Sequence, residues 1–341
     1  MNFSFIVQTF NDSFGFFIFR ILFICSGIFV NGILLSFLFI NRIGSVSSNI
    51  LVRLQTIVDI LSLISVIFAM FSHQEAIWID NLVIYQIYCR IFHTNYLFWF
   101  SMVFRGYILF ATSIDRLIVV VYPLKYRDIR MSRYRICIVL AFILSFFLVL
   151  PVLWETTVVG NIAYNFSTQP LILKYKCYFE WESPAFSLFW KVYSYIWLIF
   201  SYFLPASVMI GIYLKIITEL NSSKHTFNVQ SMLIKRNLSI KFTISSIIIF
   251  AFYIVTYSVD CVIFVLNMME LLTFYDASKY YYYCNFLLGT NAMINPYVYL
   301  VLIKNFRKYV RKLVLCGQEN YKEELSKTKS GYCASLNIFS D

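Results

Sequence analysis

The chain has 341 residues, 60% of them hydrophobic and only 13% charged, with a mean hydropathy of +0.73, which excludes a water-soluble globule. A formal charge of +11 is also found in nucleic-acid binders, but here the bases gather at one side's ends of long apolar runs. That pattern fits anionic lipid and an acidic cytosolic partner and argues against nucleic acid.

A membrane-crossing helix needs about 20 mostly apolar residues, and seven such runs follow one another, at 16–40, 50–72, 86–121, 136–154, 186–217, 240–268 and 277–301. Stretches such as "ISSIIIFAFYIVTY" do not alternate as the strands of a membrane barrel would. The expected fold is therefore an all-α membrane protein, a seven-helix bundle occupying 16–301. Residues 1–15 lack the basic start and small-residue cleavage site of a signal peptide, so an extracellular N-terminus and an uncleaved first helix are expected. No repeat or low-complexity tract divides the chain.

Lys and Arg concentrate after the third, fifth and seventh runs, as at Lys125, Arg133, Lys215, Lys235, Arg236, Arg307 and Arg311. The opposite segments carry eight acids against five bases. The basic side is expected in the cytosol, with the N-terminus outside. Sequons at Asn2, Asn11 and Asn165 then fall outside, where glycans are added. After the seventh run, "KNFRKYVRKLVLC" sets Phe306, Tyr309, Val310, Leu313 and Val314 on one helical face, so 302–316 is expected to form a short amphipathic eighth helix along the inner membrane surface. Cys316 at its end is a palmitoylation candidate, and 317–341 is a cytoplasmic tail whose Ser326, Thr328, Ser330 and Ser335 are kinase candidates.

Polar residues inside the runs carry the chemistry. They are Asn31 in "GIFVNGILL", Asp59 in "LQTIVD", Arg105 in "MVFRGYILFATSIDR", Asp115 and Arg116 in "DRLIVVVYPLKY", Pro205 and Tyr213 in "FLPASVMIGIY", then Asn291 and "NPYVY", which holds Asn295, Pro296 and Tyr299. An ionisable group in the bilayer is a functional candidate by default. The plainer alternative is that Asp59 only hydrogen-bonds Asn31 and Asn295 and so joins three helices.

In order and in placement, one motif to one helix, these residues resemble those of the rhodopsin-like (class A) G-protein-coupled receptors, in a divergent, invertebrate-type form. The resemblance covers nearly the whole chain. It implies an extracellular ligand, a heterotrimeric G protein, arrestin and kinases at the tail, and a plasma-membrane location. It also implies that Arg116 pairs with Asp115 at rest and turns toward Tyr213 and Tyr299 as the sixth helix moves outward. A Cys89–Cys177 disulfide is implied too, although Cys89 stands two residues farther from Asp115 than is usual in the family, which would move the bridge up half a turn. Cys25, Cys137, Cys261 and Cys284 read as small core residues.

The departures from the family pattern are informative. Leu117 replaces the aromatic of the acid-Arg-aromatic triplet; Ile254 and Thr256 stand where Trp and Pro are usual, so a straighter sixth helix is expected. Arg236 falls where many members keep an acid that restrains the helix-three arginine. Arg105 falls where the family usually has a small polar residue that, with the helix-two aspartate, coordinates sodium. Arg105 is expected to pair with Asp59 instead, with Asn291 and Asn295 taking its remaining donors.

Phe98 occupies the position of the amine receptors' aspartate, and no lysine precedes "NPYVY" as an opsin requires. The acidic rim and long segment 155–185 favour a cationic or amidated neuropeptide, with Phe98, Trp99, Glu180, Glu182 and Tyr257 as pocket candidates beside aromatics such as Trp78, Tyr96 and Trp181. The alternative ligands are small odorants or lipids, which would make this a chemosensory receptor. A transporter is a distant alternative, since no inverted repeat is evident. With His73, His93 and His225 scattered, no catalytic residue, metal site or cofactor is expected.

Overall fold

Helices that are apolar all round their axis can hide that surface only in lipid or in one another. The structure is a computed structural model that describes residues 14–41, 45–72, 81–123, 126, 131–154, 156–163, 172–179, 184–222, 230–268 and 274–325. The first span is Phe14–Ile40 and the second Val46–Ser72. The third runs as Leu82–Tyr88, a π-helical turn Cys89–His93 and Tyr96–Val121. The fourth is Met131–Val149 with a closing 3-10 turn, Leu150–Trp154. The fifth is Pro184–Leu198, a π-helical turn Ile199–Phe203 and Leu204–Ser222; Gln230–Met268 and Phe274–Leu302 are the sixth and seventh.

Six of these are long and apolar enough to cross a membrane, and Phe286–Leu302 qualifies as a seventh together with Lys304–Val314, from which it is bent by 99°. The third span lies centrally, packed against the second, fourth, fifth and sixth. Side chains pointing away from the bundle are large and apolar: Phe29 is 68% exposed, Leu188 70% and Val301 66%, an exterior suited to hydrocarbon. The chain is a multi-pass membrane protein with the expected seven-helix bundle.

It is not purely helical. Thr156–Ala163 (β1) and Ile172–Phe179 (β2) pair antiparallel, from Thr156 opposite Phe179 to Ala163 opposite Ile172. "TTVVGNIA" and "ILKYKCYF" are rich in β-branched and aromatic residues, a strand signal that the hydropathy of the neighbouring spans obscures. Cys177 in β2 is disulfide-bonded to Cys89, with Cα atoms 5.7 Å apart, so the hairpin is tied to the third span.

The two extra residues of that span are absorbed locally. Thr94 N–H reaches back five residues to Cys89 O, and Asn95 takes a left-handed conformation (φ 56°) before the helix restarts at Tyr96. A π-turn holds more residues per turn than an α-turn, and Asn tolerates positive φ well. The break thus lets the lower register stand independently of where the bridge sits.

The fifth span solves a similar problem at Pro205. Leu204 N–H bonds to Ile199 O, five residues back, and Pro205 has no N–H for the next carbonyl. The Tyr107 hydroxyl donates to Phe200 O at 2.9 Å and the Tyr253 hydroxyl to Ser201 O at 3.4 Å. The sixth span has no proline and is one unbroken helix of 39 residues, as its sequence led us to expect.

Lys304–Leu325 forms the eighth helix, amphipathic as expected and anchored by Phe306 and Tyr309, whose rings lie 5.0 and 5.4 Å from that of Phe37. It continues past Cys316 into the segment expected to be tail, where "QENYKEEL" is rich in good helix formers. The side chain of Cys316 lies outside the described residues, as do the residues from 326 onward and the sequons Asn2, Asn11 and Asn165.

Close packing of the first, second and seventh spans depends on Gly27, where an added Cβ would meet Met293 Cγ at 2.6 Å and Leu63 Cδ1 at 3.1 Å. At Gly32 nothing lies within 4 Å. Gly27→Ala is therefore expected to lower stability by about 1–3 kcal/mol through overpacking, whereas Gly32→Ala is expected to be neutral or slightly stabilising. Thermal denaturation of the detergent-purified chain distinguishes them; equal melting temperatures would contradict this account of Gly27.

Candidate functional site

Three acids are buried among the described residues: Asp59, Asp115 and Asp260. Asp59, fully buried on the second span, has Arg105 Nε of the third span 2.9 Å from its Oδ1, an ion-pair contact without hydrogen-bond alignment. Its Oδ2 accepts from Asn295 Nδ2 of the seventh span. The same guanidinium uses Nη2 to donate to Asn291 O at 2.7 Å and to Asn291 Oδ1 at 3.0 Å. Asn291 Nδ2 in turn donates to Thr256 Oγ1 of the sixth span at 2.9 Å. One continuous polar chain therefore joins the second, third, sixth and seventh spans.

Asn295 gives its amide to Asp59 and so takes none of the arginine's donors, contrary to the expectation from sequence; the ion pair already orients the carboxylate toward it. Asn31 does not bond Asp59 either. Its Nδ2 donates to Ala292 O at 3.1 Å, the carbonyl four residues before Pro296, which proline cannot satisfy. Arg105 and Asn31 thus serve adjacent carbonyls of the seventh span at its proline. The resemblance implies sodium beside such an aspartate, but the residues present do not fit that ion: the arginine cation stands against Asp59 Oδ1 and the Asn295 amide against Oδ2.

At the far end of the third span, Arg116 Nη2 bonds Asp115 Oδ2 and Ser48 Oγ. Asp115 also accepts from Ser48 Oγ at 2.8 Å, Ser47 Oγ at 3.3 Å and the Tyr134 hydroxyl at 2.8 Å. Ser47 and Ser48 open the second span and Tyr134 lies on the fourth, so three helices close round the carboxylate. Sequence reasoning missed both serines, although "SVSSN" ahead of an apolar run is a legible hydroxyl cluster. The sixth span sets Phe242 beside this arginine, its ring centroid 5.7 Å from Arg116 Cζ and 5.9 Å from that of Tyr299. Tyr213 and Tyr299 are both buried; Tyr213 accepts from Ser113 Oγ at 2.9 Å and packs on Phe250 at 5.0 Å. The Arg236 side chain lies outside the described residues.

Of the pocket candidates, Phe98 and Tyr257 are buried, and Trp99 meets Phe98 and Trp197 edge-on at 5.3 and 5.7 Å. Trp78, Glu180, Trp181 and Glu182 lie outside the described residues. The structure adds Asp260, which the sequence reading passed over; the lone acid in "YSVDCVIF" was its signal.

A family model for the 7 transmembrane receptor (rhodopsin family) matches residues 30–299. The chain belongs to that family. The receptor is also 28% identical over 240 residues, 68% of its length, to a tachykinin-like peptides receptor, 86C, of Drosophila melanogaster. It spans just under half of that curated relative, 45%. The family is one of receptors rather than enzymes, and its matched region contains all of the polar chain and the Asp115–Arg116 pair.

Removing one partner of a buried ion pair typically costs about 3–5 kcal/mol, because the other is left uncompensated. Arg105→Ser should therefore reduce surface expression and melting temperature sharply, while Asp59→Asn combined with Arg105→Gln should recover most of the loss. A double variant as unstable as the sum of the singles would show that the two groups are not coupled. Sodium added at constant ionic strength should leave the unaltered receptor's melting temperature unchanged.

Proposed function

We propose that the receptor sits in the plasma membrane with its N-terminus outside, binds an extracellular peptide and activates heterotrimeric G proteins. The observation that carries this is the Asp115–Arg116 pair, buried at the basic end of the bundle and faced from the sixth span by an aromatic ring. A buried pair held by hydroxyls from two other helices is a two-state element: it persists until another arrangement offers the guanidinium equal contacts. Tyr213 and Tyr299 are the contacts for that second state, exposed to Arg116 when Phe242 withdraws.

The disulfide favours placing the hairpin end in an oxidising compartment, which agrees with the basic residues at the opposite end. A peptide ligand is favoured by the relative's name, by the net-acidic outer segments and by the hairpin tied over that end. Asn291, Asn295 and Pro296 carry the change along the seventh span, and the eighth helix lies on inner-leaflet lipid, with Cys316 as its acyl site. Arrestin and kinases act on the tail.

Expression of the chain in cells, a screen of amidated peptides and a measurement of guanine-nucleotide exchange on G proteins test this reading. Saturable exchange supports it; exchange driven only by odorants or lipids moves the ligand to that class, and solute flux without exchange overturns the receptor role. Ser48→Ala should raise ligand-free exchange several-fold at matched surface expression, because it removes a partner from both charges. Arg236→Glu should lower it by adding the acid that the family's lock uses; no change in either would refute this restraint.

A further inference from the structure

Two of the three buried acids are fully engaged, Asp59 by Arg105 and Asn295, and Asp115 by Arg116, Ser47, Ser48 and Tyr134. Asp260 is not. It is 7% exposed, stands near the hairpin end of the sixth span, and has no hydrogen-bond or ion-pair partner among the described residues. Three residues below it the Tyr257 hydroxyl is also buried without a partner among the described residues. Tyr253, Tyr257 and Asp260 recur at helical spacing on one buried face.

A buried carboxylate with no counter-charge is unfavourable, and chains retain one where a ligand completes it. We infer that Asp260 and Tyr257 form the anchor for a guanidinium group of the ligand, an arginine side chain of a peptide. Guanidinium suits this place for two reasons. It pairs with a carboxylate through two parallel bonds, and it stacks on aromatic faces. Aromatic rings surround the place: Tyr257 itself stacks on Tyr202 at 5.7 Å and 8° and packs on Tyr253 at 4.6 Å, contacts that hold the ring while its hydroxyl is left without a partner among the described residues. The anchor also lies one helical turn from Thr256, the sixth-span member of the polar chain, so its occupant bears on the helix that must move.

The inference rests on the peptide-receptor reading, and the test separates the two. Purified full-length receptor is melted with pools of amidated heptapeptides in which arginine is fixed at one position, and with matching pools carrying neutral citrulline. At least one arginine pool should bind about tenfold more tightly than its citrulline counterpart, a typical margin for a charge-assisted pair. Asp260→Asn should abolish that preference and Asp260→Glu keep it. Without peptide, Asp260→Asn should melt higher than the unaltered receptor, since an uncompensated charge has been removed. The inference is overturned if the preference survives in Asp260→Asn, if no arginine pool is preferred by the unaltered receptor, or if Asp260→Asn melts lower. The peptide-receptor reading fails separately, when no pool of either kind provokes nucleotide exchange.

Discussion

A carboxylate deep in a bilayer must have a counter-charge, and in this receptor the answer to Asp59 is Arg105. The choice constrains much else. A guanidinium has five donors in a rigid fork, so Nε at Asp59 leaves Nη2 aimed at the seventh span. Asn291 accepts from that nitrogen twice, through its carbonyl and its side chain, and is thereby turned to present its amide to Thr256. A bound ion would be exchangeable; an arginine is covalently part of the third span. The spans it joins are stitched permanently rather than by occupancy.

Prolines supply the complementary constraint. Pro205 and Pro296 each remove one donor from their helix, and the carbonyls beside them are served from other spans: Phe200 O and Ser201 O by Tyr107 and Tyr253, Ala292 O by Asn31. The contacts between spans therefore concentrate where the helices are internally weakest. Such contacts are directional, unlike the apolar packing around them, and they define which rotation of each helix is satisfied.

Much of this was legible in the sequence. Seven apolar runs gave the bundle because hydropathy needs only composition over about 20 residues. Arg105 was legible through the family resemblance, in which its position faces the helix-two aspartate, and because a carboxylate there needs a counter-charge that a guanidinium supplies. The β1–β2 hairpin was less so, since two eight-residue strands are short beside the spans that flank them. Ser47 and Ser48 were missed because only the packing of the second span on the third brings them to Asp115, sixty-eight and sixty-seven residues away respectively. Asn295 and Asn31 were identified as polar-core residues, but that Asn295 gives its amide to Asp59 while Asn31 turns to the carbonyl orphaned by Pro296 depends on helix rotations that the sequence alone does not set.

The absent proline of the sixth span changes how motion can travel. A helix with a proline can bend, so that its two ends move semi-independently; Gln230–Met268 has no such joint. Thr256, tied to the polar chain, and Phe242, packed beside Arg116, are fourteen residues apart, about 21 Å at 1.5 Å per residue. Along an unbroken rod a displacement at one is carried to the other as rotation or translation of the whole helix. In the activation proposed above, withdrawing Phe242 from Arg116 then requires the Thr256–Asn291 bond to lengthen or re-form, which would make the polar core and the arginine pair one equilibrium rather than two. Under the proposed activation, the strength of the Thr256 contact therefore sets the threshold for releasing Arg116 as well.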